Sequence, residues 1–156
     1  MDFFLVRHGQ AKSPSDDPER GLTDLGVKQA EATASWSALA GARVAQILHS
    51  EKKRARQTAE IFSRHLRPSK GLIATRGLSA NDNVVPTADL IEVGGEPVMI
   101  VGHLPFVSRL ASQLVAGDPE RVGFAFAEAT VVCLHRHRGR WFVRWMVTPE
   151  EIGIRG

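Results

Sequence analysis

Short β-type apolar runs, each giving way to a helical pattern, narrow the fold of this chain more than any other feature of its sequence. Residues 3–6 (Phe3-Phe4-Leu5-Val6), 44–49 and 98–101 (Val98-Met99-Ile100-Val101) have the length and composition of buried strands. After the first run comes a polar loop, residues 12–21, with Pro14 and Pro18. Thr23 then stands as the N-cap of a helix in which Val27, Ala30, Ala34 and Ala38 recur at helical spacing, ended by Gly41. The second run precedes a basic helix over residues 52–66, with Ala55, Ala59, Phe62 and Leu66 on one face. Residues 72–75 read as a further strand, and 86–93 as a short helix behind the turn-rich Ser79-Ala80-Asn81-Asp82-Asn83. Pro105 falls where N1 of another helix belongs, and Val107, Leu110, Ala111 and Leu114 mark that helix's buried side. Residues 130–135 and 141–147 flank 136–140, which includes Gly139, as an antiparallel hairpin. The class is therefore α/β: a mostly parallel central sheet with helices on both faces and an antiparallel C-terminal hairpin.

Size agrees with one domain spanning residues 1–156. With 43% hydrophobic and 24% charged residues, the chain is neither disordered, collagen-like nor a disulfide scaffold. A domain of this length buries roughly two-thirds of its unfolded surface and needs no metal or disulfide to fold. Cys133 is the lone cysteine, which suits a reducing compartment. The N-terminal segment has an acid at position 2 and no basic n-region, so no signal peptide is expected. No run approaches the roughly 18 apolar residues of a membrane span. A cytoplasmic monomer without membrane contact is the expectation.

Open α/β sheets bind ligands outside the carboxyl ends of their strands. The first run is followed by Arg7-His8-Gly9, the second by Ser50-Glu51-Lys52-Lys53-Arg54, and the run at 98–101 by Gly102-His103-Leu104-Pro105. Three strand exits thus deliver cationic or imidazole side chains to one rim. Gly9 and Gly102 permit close backbone approach, and amides at the start of the Pro105 helix are expected to face the same rim. Two arginines and two histidines without a carboxylate cluster suit a tetrahedral dianion, because guanidinium forks match phosphate oxygens in pairs. An imidazole there can act as the nucleophile of phosphoryl transfer. No glycine-rich loop with a Lys-Ser/Thr ending is present, which argues against nucleotide chemistry of that type.

Leu5-Val6-Arg7-His8-Gly9 resembles the Arg-His-Gly signature of the histidine phosphatase superfamily, which also holds cofactor-dependent phosphoglycerate mutases. Leu22-Thr23-Asp24-Leu25-Gly26, the segment from Ser50 to Thr58 with Arg54 four residues after Ser50, and Val101-Gly102-His103-Leu104-Pro105 follow in the family's order. The compact length, Gly-His-Leu-Pro and the ending from Trp145 to Pro149 are most similar to the SixA-type phosphohistidine phosphatases. The resemblance implies a three-layer, phosphoglycerate-mutase-like fold and a phosphatase without metal or other cofactor. His8 is implied as the nucleophile that takes the phosphoryl group. Arg7 and Arg54 are implied as its clamps, and His103 as completing the pocket. Gly9 and Gln10 are expected to border bound substrate. The implied substrate is a phosphorylated protein, such as a histidine phosphotransfer domain in a signalling relay; the alternative is a small phosphate ester handled by the same chemistry.

Larger members carry a carboxylate acid, commonly a glutamate, on the loop between the second Arg and the second His. Here that loop is Leu78-Ser79-Ala80-Asn81-Asp82-Asn83-Val84, and Asp82 is its only carboxylate, equally readable as a proton donor or a turn residue. Ester leaving groups gain typically 10²–10⁴-fold from protonation. A phosphoramidate needs less help once its imidazole is protonated, so a weakly supplied acid favours phosphohistidine.

Several other residues carry less. His135 and His137, at i and i+2 amid Arg136, Arg138 and Arg140, lack a third metal ligand and read as a solvated hairpin end. Cys133 reads as core. Trp141 and Trp145, four apart, are expected on one strand face as core or edge cover. The net charge of +3 is uneven: residues 43–76 carry 9 basic and 2 acidic side chains. That excess beside Arg54 reads as a local field for an acidic phosphorylated partner rather than a nucleic-acid surface.

Overall fold

Residues 1–155 are described by a computed structural model. Its centre is a six-stranded sheet made of β1 (Asp2–Arg7), β2 (Gln46–His49), β3 (Leu72–Ala74), β4 (Val98–Gly102), β5 (Val131–His137) and β6 (Arg140–Val147), in the order β3-β2-β4-β1-β5-β6. The pairs β2–β3, β2–β4 and β1–β4 are parallel. β5 runs antiparallel to both β1 and β6. The expected mixed sheet and C-terminal hairpin are both present.

Side chains alternate across a strand, so β1 feeds two cores. Phe4 and Val6 point with Ile47, Met99, Val101 and Cys133 toward α1 (Asp24–Leu39) and α2 (Lys53–Leu66). Phe3 and Leu5 point with Ile100, Val132 and Leu134 toward α3 (Val85–Val93) and α4 (Phe106–Ala116). The helices thus cover both faces, giving three layers. Each large apolar side chain buried this way contributes about 1.5–3 kcal/mol.

α1 begins as expected, with Thr23 Oγ1 accepting from Gly26 N–H at 2.9 Å. Its buried stripe differs from the expected one. Val27 is exposed, and Gly26, Gln29, Ala30, Thr33, Ala34 and Ser37 face the core. Small side chains let the helix sit close, and hydroxyls satisfied by backbone carbonyls cost little to bury: Ser37 Oγ donates to Thr33 O at 2.7 Å and Thr33 Oγ1 to Ala129 O at 2.8 Å. A hydrophobic pattern cannot reveal such a stripe.

Two further expectations shift. Pro105 is the N-cap of α4, one position before N1. The two tryptophans of β6 lie on opposite faces: Trp141 packs against Phe3 in one core, and Trp145 against Phe4 and Trp36 in the other. The cause is a β-bulge. Cys133 pairs with Trp145 but Leu134 pairs with Val143, so Arg144 is an extra residue that inverts the alternation. The hairpin turn itself is only Arg138-Gly139, both with positive φ (52° and 74°), as a twist-compatible two-residue turn requires. Arg136 is not a loose turn cation. It donates to Glu92 O at 2.7 Å and lies 5.9 Å over the Trp141 ring, tying β5 to α3.

Candidate active site

Because β1, β2 and β4 are parallel neighbours, their carboxyl ends share one edge of the sheet. Arg7 stands opposite Gly102, and His49 opposite Val101. The residues that follow therefore converge. A cavity of about 250 Å³ at this edge is lined by Arg7, His8, Arg54 and His103, together with Arg20, Ala80 and Glu128 and their neighbours.

His8 is held on both sides by backbone. Its N–H donates to Gly102 O at 3.0 Å, and its carbonyl accepts from Ala129 N–H at 3.1 Å. The ring's Nδ1 lies 2.7 Å from Gly9 O. A carbonyl only accepts, so Nδ1 carries the proton and the lone pair of the neutral ring resides on Nε2. Burial pushes the His8 imidazole down to about 4, with Arg54, Arg7 and Arg20 acting in the same direction and the Gly9 carbonyl opposing. At neutral pH Nε2 is therefore unprotonated, as nucleophilic attack requires.

His103 faces His8, with ring centroids 5.1 Å apart. Its Nε2 is 2.5 Å from Ser50 Oγ, which itself receives Lys52 N–H at 3.4 Å. Among the described residues Nε2 is the acceptor within reach of the Ser50 hydroxyl proton, and in that pairing the neutral ring carries its own proton on Nδ1. Burial again dominates, pushing this imidazole down to about 3, with His8, Arg54, Lys52 and Arg20 adding to the effect. His103 Nδ1 and Arg7 Nε are buried without a protein partner. Such donors cost about 1–3 kcal/mol each unless an acceptor is supplied, and a phosphoryl oxygen supplies one.

Arg7 is aimed by its Nη1, which donates to Phe126 O at 2.9 Å. Arg54 sits in the first turn of α2, where its carbonyl accepts from Thr58 Oγ1 at 2.8 Å. The same Thr58 Oγ1 receives Gly9 N–H at 3.0 Å, linking the helix of Arg54 to the loop of His8. Arg20, with φ of 52° and its Nε donating to Lys12 O at 3.1 Å, is a third cation not anticipated from sequence. Among the described residues, none of Arg7, Arg20 and Arg54 forms an ion pair with a carboxylate. Three unneutralised guanidinium groups around one cavity make an anion site.

The remaining residues singled out from sequence lie elsewhere. Gly9 does not line the cavity; a Cβ there would stand 2.6 Å from Gly26 O, so its small size serves the approach of α1. Gln10 lines an adjacent cleft, not the cavity, and its Oε1 accepts from Thr23 Oγ1 at 2.7 Å. Asp82 accepts Ser79 N–H at 2.9 Å, and the residue of its loop that reaches the cavity is Ala80. A Cβ on Gly102 would make only ordinary contacts, at 3.4 Å and beyond. The Val107 amide donates to His103 O at 3.0 Å, so it holds the turn instead of facing the rim. His135 bonds Asp2 Oδ1 at 2.7 Å, and its ring stacks on His137. Among the described residues no three His, Cys, Asp or Glu side chains form a metal-binding group. Cys133 is fully buried, and its thiol is pushed up to about 12 by that burial.

The same fold recurs in known proteins, and stretches of the chain match them in sequence. The histidine phosphatase superfamily (branch 1) matches residues 3–79. Phosphohistidine phosphatase SixA of Escherichia coli is 27% identical over 154 residues, spanning 96% of this chain and 94% of that protein. The human mitochondrial serine/threonine-protein phosphatase PGAM5 is 44% identical over 65 residues, which cover 41% of this chain and 22% of that one. Among solved structures, the protein histidine phosphatase SixA complexed with tungstate shares the fold, with a TM-score of 0.86 and 23% identity over 97% of this chain and 99% of that one. Motifs, architecture and these likenesses agree: the chain matches the histidine phosphatase superfamily over residues 3–79 and is similar to SixA along nearly its whole length.

Proposed function

We propose that this chain is a phosphohistidine phosphatase that works through a covalent phosphoryl group on His8. One observation carries the reading: a neutral imidazole with its Nδ1 held on Gly9 O stands beside three arginines that no carboxylate neutralises. Nε2 of His8 attacks phosphorus, the bond to the leaving group breaks, and water then releases phosphate from His8. Arg7, Arg20 and Arg54 balance the charge of the transferred group, and His103 donates to one of its oxygens through Nδ1. Catalysis of this kind is positioning and charge stabilisation, so no metal or organic cofactor has a step to perform.

A phosphorylated protein is the favoured substrate. The cavity shares Arg20 and Arg54 with a neighbouring groove whose lining adds Lys52, Lys53 and Arg56 against Glu19 and Glu51, a net basic approach for the surface around a phosphorylated residue even with Lys53 and Arg56 engaged by carboxylates. The loop carboxylate Asp82 is engaged with Ser79 N–H, which suits a P–N bond better than an ester that needs a proton. A monomer in a reducing, cytoplasmic setting accords with the single buried thiol.

The test is to incubate the protein with a phosphohistidine protein labelled on phosphorus, quench, and map the label. Label on His8, lost in His8→Ala together with turnover, is the expected result. Wild-type turnover by His8→Ala would overturn the reading. Comparing a phosphohistidine peptide with a sugar phosphate decides between the phosphoprotein and the small-ester substrate.

A further inference from the structure

Glu128 is the only carboxylate among the described residues that line the phosphate cavity. It also lines the adjacent cleft, about 360 Å³, beside Gln10, Leu25 and Gln29. It therefore stands where the cavity that holds the phosphoryl group meets a cleft with room for what that group is attached to. The turn that presents it is fixed unusually firmly. Thr130 N–H donates to Ala127 O at 3.1 Å across the turn. Ala129, next to Glu128, has φ of 58°, a left-handed conformation that a non-glycine residue keeps only where its surroundings impose it. Those surroundings are the catalytic strand and α1. Ala129 N–H donates to His8 O at 3.1 Å, Arg7 N–H to Thr130 O at 3.2 Å, and Thr33 Oγ1 to Ala129 O at 2.8 Å. Glu128 is thus held in register with His8 itself. Despite three arginines around the same cavity, its carboxylate forms no ion pair or hydrogen bond among the described residues.

An anion that is neither neutralised nor needed by the fold, at the edge of a dianion site, repels the phosphoryl group and needs a compensating use. Resting on the phosphatase reading above, we propose that Glu128 is a specificity-determining residue that accepts a hydrogen bond from the N–H of the substrate's phosphorylated imidazolium. The chemistry balances without a proton transfer. The substrate ring is phosphorylated on one nitrogen and protonated on the other. His8 Nε2 donates its lone pair to phosphorus, and the P–N bond of the substrate breaks. That bond's electron pair returns to the substrate nitrogen, so the ring leaves as neutral imidazole, still carrying its other proton. His8 becomes the phosphorylated imidazolium, with its Nδ1 proton on Gly9 O. Ionised Glu128 favours the protonated, reactive form of the substrate ring through a charge-assisted bond. An alkyl phosphate has no such N–H and gains nothing from this carboxylate.

The experiment measures kcat/KM of wild type, Glu128→Gln and Glu128→Asp on a phosphohistidine peptide, p-nitrophenyl phosphate and a sugar phosphate. Glu128→Gln is expected to lose about 10- to 100-fold on the phosphohistidine peptide, the worth of one charge-assisted hydrogen bond. On p-nitrophenyl phosphate, whose leaving group needs no protonation and whose phosphate the Glu128 carboxylate repels, the variant's rate rises. Glu128→Asp, which keeps the charge, recovers part of the phosphohistidine rate. Equal losses on all three substrates would assign Glu128 to shaping the turn, no loss on any would remove it from catalysis, and a loss largest on the sugar phosphate would make it a general acid; each overturns the proposal. Failure of the parent reading looks different: the wild type itself then hydrolyses p-nitrophenyl phosphate but not the phosphohistidine peptide.

Discussion

Two buried neutral imidazoles make the stability of this protein depend on pH in a window where carboxylates barely titrate. His8 and His103 are 9% and 4% exposed, and burial holds them down to about 4 and about 3. In the unfolded chain each titrates near 6.5. Their folded values are depressed, so their contribution is fully present above pH 6.5. It is lost as pH falls from there toward the folded values, because the unfolded state binds protons that the folded state refuses. Between pH 7 and pH 5 each ring then removes about 2 kcal/mol, or about 4 kcal/mol together. Against a typical urea dependence of about 1–3 kcal/mol per molar, the unfolding midpoint moves down by about 2 M. Urea melts at both pH values, followed by the fluorescence of Trp36, Trp141 and Trp145, measure this directly. His8→Gln and His103→Gln should each halve the pH-dependent loss, and the double variant should nearly abolish it, whatever their absolute stabilities. If the double variant loses as much stability as wild type between pH 7 and pH 5, the two rings are not buried as neutral groups and the argument for a ready nucleophile fails with them.

Two further outcomes follow from the geometry. Gly26→Ala would place a Cβ 2.1 Å from Gln10 O, a backbone atom that cannot step aside without moving the His8 loop. A loss of about 2–4 kcal/mol in denaturant melts is expected, with kcat falling by more than the unfolded fraction accounts for. Ser50→Ala removes the hydroxyl that sets the His103 ring, so kcat should drop by about 10-fold while the fold, checked by circular dichroism, is kept.

His8, Arg54 and His103 could be read from the sequence because each directly follows a strand or opens the helix after one. A parallel sheet brings such positions to one edge whatever the details of packing. Arg20 and Glu128 could not. Each sits in irregular chain, and each reaches the cavity only through bonds to distant backbone, Arg20 Nε to Lys12 O and Ala129 N–H to His8 O. The opposite faces of Trp141 and Trp145 were equally hidden. A bulge at Arg144 changes no residue type, only the count between strands. The buried stripe of α1 escaped for a third reason: Thr33 and Ser37 satisfy their hydroxyls on backbone carbonyls, so polar residues serve as core.

The pairing of β1 with β4 also governs when this protein can first work. Phe4 pairs with Met99 and Arg7 with Gly102, so His8 meets His103 across a separation of most of the chain. The turn that buttresses His8 comes later still, at Ala129. Contacts this distant in sequence close a large loop before they return any stabilisation, and they form slowly compared with helices. A nascent chain or an N-terminal fragment can hold the Arg-His-Gly segment and α1 without holding a cavity. Catalysis thus begins only once the central strands have docked, and recovery of turnover during refolding reports completion of the sheet more faithfully than recovery of helix signal does.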